Sequence, residues 1–215
     1  MSLLRRKMLM DNKGLIVILS GPSAVGKGTI VKRTMSLAEE RGLPIDLSVS
    51  MTTRQKKHGE TDGADYFFVS RDEFEKTIKA DGLIEYNEYG GNYYGTSKKF
   101  VEGRLGEGRN VVLEIDVNGG KQVKELYPDA VTIFIMPPSL KELESRIRLR
   151  QRENEEEIKT RLEIGKSEIA GCGWYDYIVV NDIIEEAAEA ILSIIEAEKH
   201  SVVRNSYMIN EVLGK

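Results

Sequence analysis

Hydrophobic positions fall in short unbroken runs along this chain. Leu15 to Ser20 is continuously apolar and ends in a small polar residue, the pattern of a strand covered on both faces of a parallel sheet. Asp46 to Val49, Val111 to Asp116, Val131 to Ile135 and Tyr177 to Val180 are four further candidates, short and rich in β-branched residues. Helical stretches long enough for right-handed crossovers separate them. This alternation predicts an α/β fold, a doubly wound parallel sheet flanked by helices. Thr29 to Arg41 reads as the first helix. Ser139 to Arg150 follows Pro137 and Pro138, with Ser139 as N-cap and Glu142 at the third helical position, and Glu155 to Ile169 resumes helix after a polar break. Asp182 and Glu185 have capping-box spacing, and Ile184, Ala188, Ile191 and Ile195 then give one apolar face.

The stretch from Ser50 to Ser97 has a different texture. Gly59, Gly63, Gly82, Gly90, Gly91 and Gly95 punctuate short strand-like pieces such as Tyr66 to Val69, so a small β-rich insertion is expected at about 50–97. Residues 1–13 read as an extension ahead of a single domain over 14–199. The tail at 200–215 shows no pattern that assigns an element.

Composition narrows the function classes. The 215 residues carry a formal net charge of -4, which repels nucleic acid on average, so any anion site must be a local cluster and no nucleic-acid partner is expected. One cysteine, Cys172, cannot form an internal disulfide, and it reads as a small packing residue between Gly171 and Gly173. Two distant histidines, His58 and His200, do not make a zinc site with it. The apolar run Met8 to Met10 is too short for a secretory signal, and no segment approaches the roughly 20 apolar residues of a membrane span. A reducing cytoplasm fits this pattern.

Chemistry enters at Gly21-Pro22-Ser23-Ala24-Val25-Gly26-Lys27-Gly28-Thr29, a GxxxxGK string set between a buried strand and a helix. Glycines let the backbone curl until successive N–H groups point at phosphate oxygens, and the helix N-terminus adds its positive end. Lys27 then reaches the β and γ phosphates. The residue after Lys27 is Gly28, and the hydroxyl comes one place later, from Thr29. At the end of another strand, period-two alternation puts Glu114 and Asp116 on one side, where a carboxylate could stand near a metal and the loop lysine. The other reading of Asp116 is a strand-end acid that caps the next helix.

Several motifs in order give the chain from about Gly14 to Lys199 a strong resemblance to guanylate kinases. They are GPSAVGKGT, SVSMTTR at Ser48 to Arg54, GETDGADYFFV at Gly59 to Val69, IEY at Ile84 to Tyr86, GNYYGT at Gly91 to Thr96, LEIDVNG at Leu113 to Gly119 and IVVND at Ile178 to Asp182. The resemblance implies transfer of the γ-phosphoryl group of ATP to GMP or dGMP, with Mg2+. It implies that Ser50, Glu85 and Thr96 read guanine, that Arg54, Lys57, Tyr66 and Tyr94 clamp the GMP phosphate, and that Asp116 serves both GMP and the metal, together with Gly28 and Thr29. Guanine offers donors at N1 and N2 and an acceptor at O6, so a carboxylate and two hydroxyls match it where adenine does not. Tyr93 reads as packing. Lys57 stands where the family usually has arginine, which makes a planar two-donor fork that lysine cannot. Asn118 replaces a common glutamine.

The segment at about 146–161 resembles the family's lid, with Arg146, Arg150 and Arg161 set to stabilise charge on the transferring group. Arg152 falls where family lids differ. Asn181 and Asp182 stand where the family approaches adenine, with helix capping the other role for Asp182. A noncatalytic guanylate-kinase-like module that binds a phosphorylated or acidic partner is the rival reading, against which Gly21, Gly26, Lys27 and Asp116 argue. Oligomeric state is not encoded in any pattern found.

Overall fold

A computed structural model describes residues 14–149 and 154–214. The elements run β1 (Ile16–Ser20), α1 (Lys27–Glu40), β2 (Ile45–Leu47), β3 (Met51–Thr52), β4 (Phe67–Phe68), α2 (Arg71–Lys79), β5 (Leu83–Tyr89), β6 (Asn92–Ser97), α3 (Lys98–Gly106), β7 (Asn110–Glu114) and α4 (Val117–Leu126). They continue with β8 (Val131–Met136), α5 (Leu140–Leu149), α6 (Glu155–Ala170), β9 (Tyr177–Val180), α7 (Ile184–Lys199) and α8 (Val202–Leu213). Two compact units divide them: residues 14–20 with Pro44–Thr132, and Gly21–Leu43 with the chain from Ile133 onward.

In the first unit the parallel strands lie in the order β2-β7-β1, with Ile16 opposite Val111 and Ile45 opposite Asn110. Their unbroken apolar runs are explained by cover on both faces. Ile16, Ile18, Val111 and Leu113 pack with Ile84, Val101 and Val123 in one core cluster. A second sheet, ordered β4-β3-β6-β5, is the insertion expected from the glycine-rich sequence. Its β5–β6 hairpin turns at Gly90 and Gly91, whose φ values of 57° and 74° suit a two-residue turn that glycine forms without strain. Ser70 caps α2, and Phe74 on that helix is fully buried, its ring stacked on Tyr93 at 5.2 Å. Tyr93 is thus a packing residue, as its sequence context suggests.

The second unit pairs β8 with β9 in parallel, Ile133 opposite Tyr177. Leu143 and Ile147 of α5 meet Ile158 of α6 and Ala24 in a separate cluster. On α7, Ala188, Ile191 and Ile195 are buried as their spacing foresees, whereas Ile184, read as part of the same face, is exposed in the first turn. Arg33 pairs with Glu185, and Arg41 with Glu189, between α1 and α7. These pairs are half exposed and contribute little beside the apolar contact. No helix among the described residues is long and apolar enough to cross a membrane.

Helix ends depart from expectation in two places. Asp182 does not cap α7: the helix starts at Ile184, its N-cap is Ile183, and no side chain caps it, because the chain leaves the extended conformation one residue too late for the carboxylate to reach the first turn. The capping box belongs to α6, where Asn154 and Glu157 exchange side-chain and backbone hydrogen bonds. Ser139 accepts from the Glu142 N–H at 3.1 Å, as read. The tail left without an element forms α8.

Phe74 fastens α2 to the smaller sheet, so Phe74→Ala should cost about 3–5 kcal/mol, the usual range for removing a buried ring. Urea unfolding measures it. A loss below about 1 kcal/mol would mean that the ring is not the anchor of this sheet.

Candidate active site

The residues singled out in the sequence fall into two groups, one per unit. In the second unit the loop from Gly21 to Gly26 wraps the start of α1. Ala24 has φ 68° and Gly26 φ 96°, so the backbone visits the left-handed region twice within three residues. For alanine that costs on the order of 1 kcal/mol, strain that the surrounding packing must hold. Gly26 has a second constraint, since a Cβ there would lie 2.5 Å from Asn181 Nδ2. As N-cap of α1 it leaves the first turn without a side-chain cap, and such a turn is an anion site.

Polar side chains of the same unit close around this loop. Lys27 Nζ donates to the Gly21 carbonyl at 2.5 Å and to that of Pro22 at 3.3 Å. Arg161 Nη1 donates to Ser23 Oγ at 2.8 Å. Arg146 is more tightly held: Nη1 donates to the Val25 carbonyl and Nη2 to the Asn181 carbonyl, both at 3.1 Å, and Nε to Glu142 at 2.7 Å. Buried Asn181 adds a 2.6 Å bond from Nδ2 to the Val25 carbonyl. Arg146 and Asn181 therefore fasten the loop backbone. Arg150 and Arg152 lie outside the described residues.

In the first unit a cavity of about 170 Å³ is lined by Ser50, Tyr66, Glu85, Asn87, Tyr94 and Asp116, among others. Glu85 faces Thr96 across the β5–β6 ladder and accepts its hydroxyl at 2.6 Å. Only 6% of Glu85 is exposed. Burial raises its pKa to about 7, with the Asp116 charge adding to the shift and the Thr96 hydrogen bond opposing it. Asp116 is the N-cap of α4, accepting from the Gly119 N–H at 2.7 Å, so the capping reading left open in the sequence is realised. It also accepts from Asn87 Nδ2 at 3.1 Å on each oxygen.

Arg54 holds its guanidinium 5.4 Å from the ring centre of Tyr66, a residue of the cavity wall. Glu60 grips it with two bonds, 2.7 and 3.1 Å, and also accepts from the Lys57 backbone N–H at 2.7 Å. That pairing holds the Glu60 carboxyl below its usual range. The Lys57 residue is exposed. Tyr66 and Tyr94 meet edge to face at 6.0 Å.

Sequence reading missed Asn87, Gln122, Gly119 and Glu60 as parts of this geometry. Period-two alternation from Glu85 puts Asn87 on the same strand face, a signal that was there to find. Gly119 closes the LEIDVNG string, and its reason is spatial: a Cβ at that position would lie 2.8 Å from Glu85 Oε2 and 3.5 Å from Asp116 Oδ1. Glycine is what lets the start of α4 approach the buried carboxylate.

The guanylate kinase family profile matches residues 13–198. A guanylate kinase of Lactobacillus johnsonii (strain CNCM I-12250 / La1 / NCC 533) is 47% identical over 195 residues, which cover 91% of this chain and 94% of that protein. The chain belongs to the guanylate kinase family. Among solved structures, the crystal structure of guanylate kinase from Anaplasma phagocytophilum matches with a TM-score of 0.72 at 35% identity, over 89% of each chain. The mixed α/β architecture with a parallel sheet core is that of this P-loop family. As a guanylate kinase the protein is an ATP:GMP phosphotransferase, with ATP as co-substrate, and the reading as a noncatalytic module is not favoured.

Two outcomes are expected from this geometry. Glu85 has a folded pKa raised to about 7 against an ordinary value of 4.5, so the folded protein holds an extra proton between those values. Stability from this group is present in full below pH 4.5 and is lost as pH rises through 7, by about 3 kcal/mol at 1.36 kcal/mol per pH unit. Glu85→Gln should therefore stabilise the nucleotide-free protein at pH 8 and leave it nearly unchanged at pH 4, measured by urea unfolding; equal effects at both values would contradict the burial argument. Gly119→Ala should push the Glu85 carboxylate aside and lower kcat/KM for GMP at least about tenfold, with KM for ATP within about twofold. Unchanged efficiency with GMP would show that the close approach has no functional weight.

Proposed function

We propose that the P-loop of the second unit holds ATP and that the cavity of the first unit reads the guanine of GMP or dGMP. The observation that carries this reading is the buried Glu85–Thr96 pair at the cavity wall. An ionised Glu85 can accept from both N1–H and N2–H of guanine, while the Ser50 hydroxyl serves O6, joined by that of Thr96 once it turns from Glu85. An adenine base leaves that carboxylate unmatched in a place where water cannot replace the lost bonds. Arg54, Lys57, Tyr66 and Tyr94 clamp the acceptor phosphate, with Glu60 keeping the Arg54 fork in one orientation.

On the donor side, residues Gly21 to Thr29 cradle the ATP phosphates through backbone N–H groups and the helix dipole. Lys27 exchanges its carbonyl partners for phosphate oxygens and follows the charge of the moving group. Arg161, already at Ser23, adds positive charge there; Arg146 contributes chiefly by fixing the loop. Arg150 is assigned the same charge-stabilising role from its place in the lid sequence. Transfer is in-line and needs no protein base, because the attacking phosphate oxygen is already anionic.

The exposed Thr29 hydroxyl in the uncapped first turn of α1 suits Mg2+, a hard cation that takes most of its ligands from phosphate and water. Gly28 and Thr29 would hold it with the phosphates. Bound there, the ion would neutralise charge on the phosphate oxygens. A cytoplasmic setting without a nucleic-acid partner completes the reading.

The test is ADP formation with GMP, dGMP, AMP, CMP and UMP, in the parent and in Glu85→Gln. The amide turns two charge-assisted bonds into one bond and one donor against a donor, so efficiency with GMP should fall at least about 10²-fold. KM for ATP should hardly move, and the preference for GMP over AMP should shrink. A folded Glu85→Gln protein that keeps the parent's GMP-to-AMP ratio would remove Glu85 as the base reader.

A further inference from the structure

Asp116 does not stand alone at the cavity. Asn87 Nδ2 lies 3.1 Å from both of its oxygens, along the line that bisects the carboxylate. That placement fixes which end of the Asn87 amide faces Asp116, since the oxygen end would oppose it. The oxygen end instead accepts from Gln122 Nε2 at 3.4 Å. Gln122 is itself held by the backbone of β5: its Oε1 accepts from the Tyr86 N–H and its Nε2 donates to the Tyr86 carbonyl, both at 3.1 Å. The run from the β5 backbone through Gln122 and Asn87 to Asp116 has one consistent direction of donors and acceptors. At its far end Asp116 Oδ1 accepts the Gly119 N–H.

We propose that Asn87 and Gln122 are positioning residues for Asp116, forming a relay that ties its carboxylate to β5, the strand that carries Glu85. The inference rests on the assignment of Asp116 to GMP handling made above. Two supports, one from α4 and one from β5, hold the carboxylate in a single rotamer, and the β5 support reaches it from two residues beyond Glu85. The relay therefore registers two acids of the cavity against each other. Glu85 of β5, Glu114 of β7 and Asp116 line the cavity together with the phenols Tyr66 and Tyr94, so several acids share it. On α4 the Gly119 N–H meets Asp116 and the Gln122 amide meets Asn87, both neutral groups. A neutral donor such as Asn87 holds an anion without cancelling the charge that the cavity presents to its ligand.

The experiment compares Asn87→Ala, Asn87→Asp, Asp116→Asn and the double variant Asn87→Ala with Asp116→Asn, with circular dichroism as the folding check. Asn87→Ala should raise KM for GMP about tenfold while KM for ATP stays within about twofold. Asn87→Asp keeps the size of the side chain but replaces the donor with a second acceptor, so KM for GMP should rise at least as far as in Asn87→Ala, again with KM for ATP within about twofold. In the Asp116→Asn background, Asn87→Ala should change efficiency by less than about twofold, because its target has gone. If Asp116→Asn lowers activity while Asn87→Ala and Asn87→Asp both stay within about twofold of the parent, the relay is overturned and the role of Asp116 stands. If Asp116→Asn itself behaves as the parent, the assignment of Asp116 falls and the relay with it. A drop in melting temperature for Asn87→Ala with an unmoved KM for GMP also overturns the proposal, since a purely structural contact would do that.

Discussion

The acceptor half of this protein is organised around a carboxylate that the fold has largely removed from water. Burial of Glu85 works against its ionised form, and neighbouring Asp116 adds to the difficulty. Thr96 offsets part of that cost with one hydrogen bond. The remainder is left for a ligand with paired donors to meet, and guanine has such a pair. In the proposed function selectivity and instability have one source: the residue that lowers stability at neutral pH is the residue assigned to reject a base without matching donors. The glycine at 119 belongs to the same constraint, because α4 can begin beside this carboxylate only where no side chain intervenes.

The donor half is encoded differently. Its geometry lies in backbone conformation, with left-handed φ at Ala24 and Gly26 and carbonyls held by Arg146 and Asn181. Phosphate has no pattern of donors to distinguish, so a row of N–H groups and a helix end suffice to bind it. Side chains there add charge and support. An arginine such as Arg146 can accordingly serve the loop by fixing carbonyls, a task that its place on a charged helix face does not reveal.

This difference explains what could be read in the sequence. Buried parallel strands and the P-loop were legible because each is written locally: an unbroken run of β-branched residues, then a fixed spacing of glycines and a lysine. Tyr177 to Val180 was bounded to the residue, and β1, β7 and β8 within one or two. The cavity residues Ser50, Tyr66, Glu85, Tyr94 and Asp116 came from family motifs, and they line one cavity. Thr96 came from the same motifs and is hydrogen-bonded to Glu85. Contacts between distant segments were not legible. Glu60 gripping Arg54, Gln122 bridging to Tyr86 and the close approach of Gly119 to Glu85 depend on how the chain returns on itself, and no short-range period records them. Asp182 failed for a related reason, since capping-box spacing fixes the residues but not the turn at which the helix begins.

Asp116 shows why capping and function need not compete. As N-cap it accepts from Gly119, and this local bond sets the start of α4. A carboxylate has room for about four hydrogen bonds, however, and the cap uses one of them. Asn87 lies at the same distance from both oxygens and the cap takes a further bond at Oδ1, so the capacity left for a ligand is chiefly at Oδ2. A structural bond at one oxygen and a neutral support between the two therefore raise the precision of an anion without consuming its capacity to bind. The same reasoning separates Asp116 from Glu85: one acid is exposed and held by neutral donors, the other is buried and held by a single hydroxyl. Burial raises the proton affinity of Glu85, so this is the carboxyl whose protonation responds to a ligand that pairs with it.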